Sequence, residues 1–289
     1  MGELKKSITK DFLSSLEGIS MFIASKMSST ALSGMRKSRA KGSSLEFSDF
    51  REYIPGDDIR RLDWNSYARF DRLFMRIFAE EKQADINIFV DISNSMSDEF
   101  QKSIFSRQIA LVIAFIALKN TDKVNIFAFG NGILKKKLGL SSASRFYEAV
   151  DFLDNIENEG TTAVVKSMKE AFSDIKGKGV SYIISDFFSD DGYAEGLGFL
   201  LYKKQDVSCI QTLSKFDKEP DIYGNIRLVD SEGTNEDIDI FVNPSIIENY
   251  KKEFLNFQNQ LGEFCRKKGI KFISVDNSEQ VSKIVLKAL

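Results

Sequence analysis

Asp91, Ser93 and Ser95 stand at alternate positions at the end of an apolar run, in the stretch I-N-I-F-V-D-I-S-N-S of residues 86–95. One carboxylate and two hydroxyls so spaced offer three hard oxygen donors with little negative charge. That set suits Mg²⁺, which keeps several waters and is held through only one or two carboxylates. Two further segments carry donors of the same kind. In E-G-T-T-A-V, residues 159–164, a glycine and two threonines open a helix-like stretch, where a threonine hydroxyl would stand beside the free N–H groups of the helix start. In S-Y-I-I-S-D, residues 181–186, a second apolar run ends in Asp186. Taken singly, each has a plain explanation: Thr161 or Thr162 as a helix cap, Asp186 as a turn residue after a strand. Their occurrence together, in this order, is what points to a shared site.

The elements that must position these donors follow from the pattern around them. An apolar run rich in Ile, Val and Phe reads as a buried strand of a parallel sheet, and ligands of such sheets bind just beyond the carboxyl ends of the strands. Strands are predicted at 86–91, 124–129, 133–138, 180–185, 207–213 and 270–275, and helices at 101–119, 142–155, 163–176, 194–204, 245–268 and 278–288. Alternation of this kind predicts an α/β fold, a doubly wound and mostly parallel sheet with helices on both faces. Gly130, Asn131 and Gly132 leave no room for a crossover between 124–129 and 133–138, so that pair is a hairpin and one edge strand is antiparallel. Residues 214–244 interrupt the scheme with an inserted hairpin, Ile226–Val229 against Ile238–Val242.

Upstream, Leu4, Ile8, Phe12, Leu16, Ile19 and Ile23 have the spacing of an amphipathic helix over 4–27. A basic loop at 36–42 reads as solvated. Residues 46–81 then alternate charges with aromatics around a Pro55-Gly56 turn. The expected division is residues 1–84, helix and charged segment, and 85–289, the sheet domain. In the charged segment Arg51, Asp57, Asp58, Arg60, Arg61, Asp63, Trp64 and Arg69 mix the two signs evenly. Internal ion pairs would satisfy most of them, so the segment reads first as a clasp packed on the sheet domain, with Trp64 and Phe70 buried. The sharper reading makes Arg51, Asp57, Asp58, Arg60, Asp63 and Trp64 a surface for a partner.

Composition removes several classes of function. The 289 residues include no histidine, which excludes Ser-His-Asp and Cys-His nucleophilic arrangements and His-based zinc sites. A net charge of −2 argues against nucleic acid as a partner. Cys209 and Cys265 both lie in apolar segments and read as buried thiols of a cytoplasmic protein. The longest apolar run, residues 109–118, is far short of the ~20 residues of a membrane span, and the amino terminus lacks the apolar core of a secretory signal. Asp91 as a phosphatase nucleophile of the haloacid-dehalogenase kind is disfavoured, because Ser93 stands where a second aspartate belongs.

With Asp91-x-Ser93-x-Ser95, then Thr162, then Asp186, the chain resembles von Willebrand factor type A domains at their metal-ion-dependent adhesion site. The upstream stretch G-S-S-L-E-F-S-D-F-R-E-Y-I-P-G-D-D-I-R-R-L-D-W-N-S-Y-A-R, residues 42–69, is similar to the signature of the bacterial family called domain of unknown function 58. The resemblance covers the chain from about Gly42 onward. It implies that Ser93 and Ser95 bind the metal directly and Asp91 directly or through water. Thr162 would be the fourth donor, with Thr161 as runner-up because Glu159-Gly160 replaces the usual paired glycine, and Asp186 would act through a bridging water. Asp190 and Asp191 either reach the metal or face solvent. The resemblance further implies a MoxR-type AAA+ ATPase as partner, in assembly or stress response.

The charge balance of such a site sets its chemistry. Mg²⁺ or Mn²⁺ held by neutral hydroxyls and at most two carboxylates binds weakly, with a Kd of about 10⁻⁴–10⁻³ M by analogy with weak calcium modules. It stays electron-poor, so an acidic group of a protein partner completes its shell. The expectation is therefore a non-enzymatic, metal-dependent interaction module. The alternative is a metal-assisted hydrolase or phosphatase using the same ion, for which no general base is visible. The site is expected to face solvent, so that Asp91→Ala would leave the fold intact.

Overall fold

The computed structural model describes residues 3–9, 12, 14, 16–18, 46–79, 83–97, 102–189, 191–229 and 237–288. The basic loop at 36–42 and the later part of the predicted 4–27 helix lie outside them. The chain divides into two compact units: Met1–Ser20 together with Ala84–Leu289, and Met21–Gln83. The first twenty residues thus group with the sheet rather than with the charged segment.

The larger unit begins with α1 (Glu3–Ser7). The predicted helix does not run through, because Ile8 and Thr9 are not helical. Ser7 Oγ donates to Leu4 O at 2.7 Å and Thr9 Oγ1 accepts the Phe12 N–H at 3.1 Å, the local competition by which Ser and Thr break helices. Leu4 and Leu16 are buried all the same, and Lys5 pairs with Asp151 at 2.8 Å.

The smaller unit holds β1 (Glu46–Glu52), a 3₁₀ turn Ile59–Arg61, α2 (Trp64–Phe70) and β2 (Phe74–Ala79). β1 and β2 pair antiparallel, with a register shift between Phe47 and Asp49. Trp64 and Phe70, expected to be buried, are 61% and 66% exposed. The reason is local: α2 is two turns long, buries none of its residues, and its aromatic side chains meet each other instead, Trp64 edge-on to Tyr67 with ring centroids 6.4 Å apart.

The larger unit resumes with β3 (Asp85–Asp91), α3 (Lys102–Lys119), β4 (Lys123–Gly130), β5 (Gly132–Leu140), α4 (Phe146–Asp154) and α5 (Val164–Ala171). It continues with β6 (Gly179–Ser185), α6 (Ala194–Tyr202), β7 (Gln205–Leu213), α7 (Lys215–Lys218), β8 (Gly224–Leu228), β9 (Ile238–Val242), α8 (Pro244–Lys268), β10 (Lys271–Asp276) and α9 (Val281–Ala288). Six strands form one sheet in the order β10-β7-β6-β3-β4-β5. All neighbours are parallel except β4 and β5, the predicted hairpin edge. β8 and β9 make the predicted inserted hairpin as a sheet of their own.

The core lies where apolar runs of central strands meet apolar helix faces. Phe89 of β3 and Phe127 of β4 face each other in register and stack with centroids 4.7 Å apart. Val164, Met168, Leu197, Cys209 and Cys265 pack in the same cluster, and both cysteines are free buried thiols. Local signals set the helix bounds as well. α8 starts at Asn243, whose side chain accepts the Ile246 N–H at 3.0 Å, has Pro244 in its first turn, and stops at Gly269 with φ +70°, the pattern expected of helix ends. No described helix is long and apolar enough to cross a membrane.

Candidate metal centre at the strand ends

The strand order reverses between β3 and β6: β4 and β5 lie to one side, β7 and β10 to the other. A crevice at the carboxyl ends of strands flanking such a reversal is where doubly wound sheets bind ligands. Asp91 is the last residue of β3, and Asp186 follows the last residue of β6. The parallel register pairs Val90 with Ile184, which carries Ser185 to the side of Asp91.

Two loops close over this point. Ile92 N–H donates to Phe129 O at 2.8 Å and Asn94 N–H to Gly160 O at 3.0 Å. The 159–163 loop returns the contact, with Glu159 N–H on Ile92 O at 2.8 Å and Ala163 N–H on Gly130 O at 2.9 Å. Two glycines allow this close approach. A Cβ on Gly130 would stand 3.1 Å from Glu159 O and 3.2 Å from Thr161 O, and Gly160 has φ +72°, where other residues are strained.

Asp91 gathers the donors. Its Oδ1 accepts the Ser93 N–H at 3.0 Å; its Oδ2 accepts Ser185 Oγ at 2.5 Å and lies 3.4 Å from Thr162 Oγ1. Ser93 and Ser95 place their hydroxyl oxygens 3.0 Å apart. Thr162 is buried against Asp91, whereas Thr161 is only half-buried, so the geometry favours Thr162 of the two. The expectation of a solvent-facing site fails: Asp91, Ser93, Thr162 and Asp186 are all buried, and Ser95 is half-buried. The 159–162 loop covers the strand end that the sequence leaves open. Burial, and then the charge of Asp186, push the Asp91 carboxyl up to about 7, against the opposing hydrogen bonds of Ser185 and Ser93.

Asp186 is near but differently engaged. Its Oδ2 pairs with Lys102 Nζ at 3.0 Å, and its Oδ1 accepts the Phe188 N–H at 3.1 Å. Phe187, between them, is buried with φ +64°, a conformation uncommon outside glycine. Asp191 binds neither the site nor bulk water alone: its carboxylate accepts the N–H groups of Val165 and Lys166 at 3.2 and 2.9 Å, at the start of α5. Asp190 lies outside the described residues.

Sequence reasoning missed three members of this network. Ser185 was legible as the residue beside Asp91 once the register was known. Lys102 opens α3, a helix whose apolar stretch begins only at Ile109, and nothing in its local pattern marks it as a partner of Asp186. Asn158 donates to Ser93 O at 3.0 Å and accepts from Ser103 Oγ and Arg107 Nη2, each at 2.8 Å, so it braces the serine loop.

These residues fit a hard divalent ion. Among the described residues no group of three or more acidic or cysteine side chains converges, so such an ion would be held chiefly by the hydroxyls of Ser93, Ser95 and Thr162 with Asp91, and Asp186 behind them. A cation beside the two carboxylates would also offset the charge of Asp186, which adds to the effect of burial on Asp91.

Within the candidate partner surface of the smaller unit, Arg51, Asp57 and Asp63 are ion-paired. Arg51 pairs with Asp57 at 2.6 Å, and Asp57 also accepts the Ile54 N–H at 3.0 Å. Asp58 accepts the Arg60 N–H at 3.1 Å, and Asp63 binds Arg76 at 2.5 Å and Ser66 Oγ at 2.6 Å. Trp64 alone of the six is a large exposed apolar side chain.

A family model described as "Protein of unknown function DUF58" matches residues 49–259. No curated protein matches the chain. Among solved structures, BatB from Bacteroides thetaiotaomicron is similar at 21% identity and a TM-score of 0.43, over 70% of this chain and 95% of that one. An aerotolerance-related membrane protein from Bacteroides fragilis is similar at 20% identity and a TM-score of 0.44, over 71% and 98%. Proximal thread matrix protein 1 from the mussel byssus, with a zinc-occupied MIDAS motif, is similar at 18% identity and a TM-score of 0.36, over 45% and 38%.

Proposed function

The chain belongs to the DUF58 family, and from that premise we propose that it is a non-enzymatic protein-interaction module whose docking depends on Mg²⁺ or Mn²⁺. The observation that carries this reading is the convergence of Asp91, Ser93, Ser95 and Thr162 at the point where the strand order reverses. A divalent ion held mostly by neutral hydroxyls keeps a strong pull on a further anionic oxygen, and a glutamate or aspartate of a partner supplies it. The partner is a MoxR-type AAA+ ATPase, the module works in the cytoplasm, and it serves assembly or stress response; these three steps rest on the family resemblance read in the sequence.

The enzymatic alternative, a metal-assisted hydrolase, needs a base free to take a proton from water. Asp91 accepts hydrogen bonds from Ser185 and from the Ser93 backbone, and Asp186 is paired with Lys102. Both carboxylates are engaged, which favours docking over hydrolysis.

A thermal melt of wild type and Asp91→Ala across a Mn²⁺ and Mg²⁺ titration, with chelator as control, tests the reading. An ion that binds only the folded state raises Tm with concentration. The expected result is a rise in wild type that Asp91→Ala abolishes; no rise in wild type at several millimolar ion would count against it.

A further inference from the structure

Lys102, in the first turn of α3, is 2% exposed, yet its ammonium lies 3.0 Å from Asp186 Oδ2 and 3.2 Å from Asp217 Oδ2. A buried charge is tolerated only when it is paired, and here two carboxylates from different elements share one ammonium. Asp186 belongs to the strand-end site. Asp217 lies in α7, the turn that follows β7 and leads toward the inserted hairpin. Asp217 is fixed in its own right. Its Oδ2 accepts the Ser214 N–H at 2.7 Å, its N–H donates to Ser214 Oγ at 3.1 Å, and its carbonyl accepts the Tyr250 hydroxyl at 2.8 Å. Asp186 is equally fixed, through Phe188 N–H and through Gln211 Nε2, which donates to its carbonyl at 3.1 Å. Lys102 therefore cannot swing away from the strand end without leaving two anchored carboxylates behind it.

We propose that Lys102 is a resident counter-ion that sets the cation affinity of the site. Its ammonium offsets the charge of Asp186 and so weakens the pull on a divalent ion held at Asp91, Ser93, Ser95 and Thr162. Asp217 moderates the effect by drawing part of that positive charge toward α7. This inference rests on the metal-dependent docking reading and deepens it, because a site kept weak for the bare ion is one in which a partner's carboxylate decides occupancy. Lys102 is a positioning and tuning residue, with no place among the metal donors themselves.

The test is calorimetric titration of Mn²⁺ into the full chain as wild type, Lys102→Gln, Asp217→Asn and the double variant Asp91→Ala/Lys102→Gln. Lys102→Gln removes the charge while keeping a hydrogen-bonding side chain, and should bind Mn²⁺ about tenfold more tightly, the order expected when one unit charge near a divalent ion is removed. Asp217→Asn leaves the ammonium to Asp186 alone and should bind severalfold more weakly. The double variant should lose the gain. Should Lys102→Gln fail to fold, Asp217→Asn decides the matter by its opposite sign. Wild type that binds while Lys102→Gln binds no tighter, or Asp217→Asn binds no weaker, overturns the role of Lys102 and spares the docking site. Absence of binding in every chain, Lys102→Gln included, overturns the metal site itself and this inference with it.

Discussion

Thr161 and Thr162 are chemically identical neighbours that the fold treats oppositely. Thr162 is buried with its hydroxyl 3.4 Å from Asp91, while Thr161 is half-buried, its carbonyl turned toward Gly130. Thr162→Val keeps the shape and deletes one oxygen donor. It should abolish the Mn²⁺-induced rise in Tm while costing the ion-free fold about 1 kcal/mol for one lost hydrogen bond; Thr161→Val should keep the whole response. Scanning fluorimetry with and without chelator reads both, and an undiminished response in Thr162→Val would remove that residue from the donor set. A second residue effect concerns acid stability. Lys218, then Ser278, hold the Asp276 carboxyl down at about 2, below an ordinary value of about 3.9. A carboxyl lowered in the folded state contributes its full stability above the unfolded value and loses it as pH falls through the folded one. Asp276→Asn should therefore weaken the fold near neutrality and flatten its loss of stability between pH about 4 and about 2, as read by urea melts across that range.

At the scale of elements, the site exists because two loops are pulled onto the end of β3, and Gly130 is the pivot. Gly130→Ala would push a methyl group against Glu159 O and Thr161 O, which overpacking data put at about 1–3 kcal/mol. Because the displaced loop carries Thr162, the ion-dependent rise in Tm should shrink along with the base stability; a chain that loses stability but responds to Mn²⁺ as wild type does would show that the loop reseats itself. Most of this level was legible beforehand. The strands and helices predicted from residue 85 onward are all present, because buried parallel strands are long apolar runs and because Asn243, Pro244 and Gly269 mark helix ends by their own chemistry. Even the register was written twice: N-I-F occurs at Asn87 and again at Asn125, and β3 and β4 align the two, with Asn125 Nδ2 donating to Asn87 Oδ1 at 3.0 Å. What escaped was whatever depended on contacts distant in sequence. The burial of Asp91 comes from a loop some seventy residues later, and the partnership of Lys102 with Asp186 and Asp217 joins three elements. The break in the amino-terminal helix escaped for a different reason, since apolar spacing outweighed the local hydrogen bonds of Ser7 and Thr9.

On the scale of the whole molecule, the proposed docking gives the larger unit one cation-dependent point of contact, and a single point fixes neither orientation nor partner identity. In the smaller unit Arg51 pairs with Asp57 and Arg76 with Asp63, and from Ile54 onward the large apolar side chains left exposed are Ile54, Ile59, Trp64, Tyr67 and Phe70. Isolated exposed apolar residues carry no message, but five within seventeen residues, two of them Trp and Tyr, have the composition of an interface centre. The net charge of −2 supplies no strong field to steer a partner instead. We therefore expect two separable terms in binding to a purified MoxR-type ATPase. Trp64→Ala should change the Tm little and leave its Mn²⁺ response intact, since the side chain is mostly exposed, yet weaken the complex by at least about 2 kcal/mol, roughly thirtyfold, as a central aromatic does. Asp91→Ala should instead remove only the part of the affinity that chelator removes from wild type. Titrations of the ATPase against both variants, each with Mg²⁺ and with chelator, separate the terms: equal affinities for Trp64→Ala and wild type would take the smaller unit out of the interface and leave the strand-end site as the point of docking.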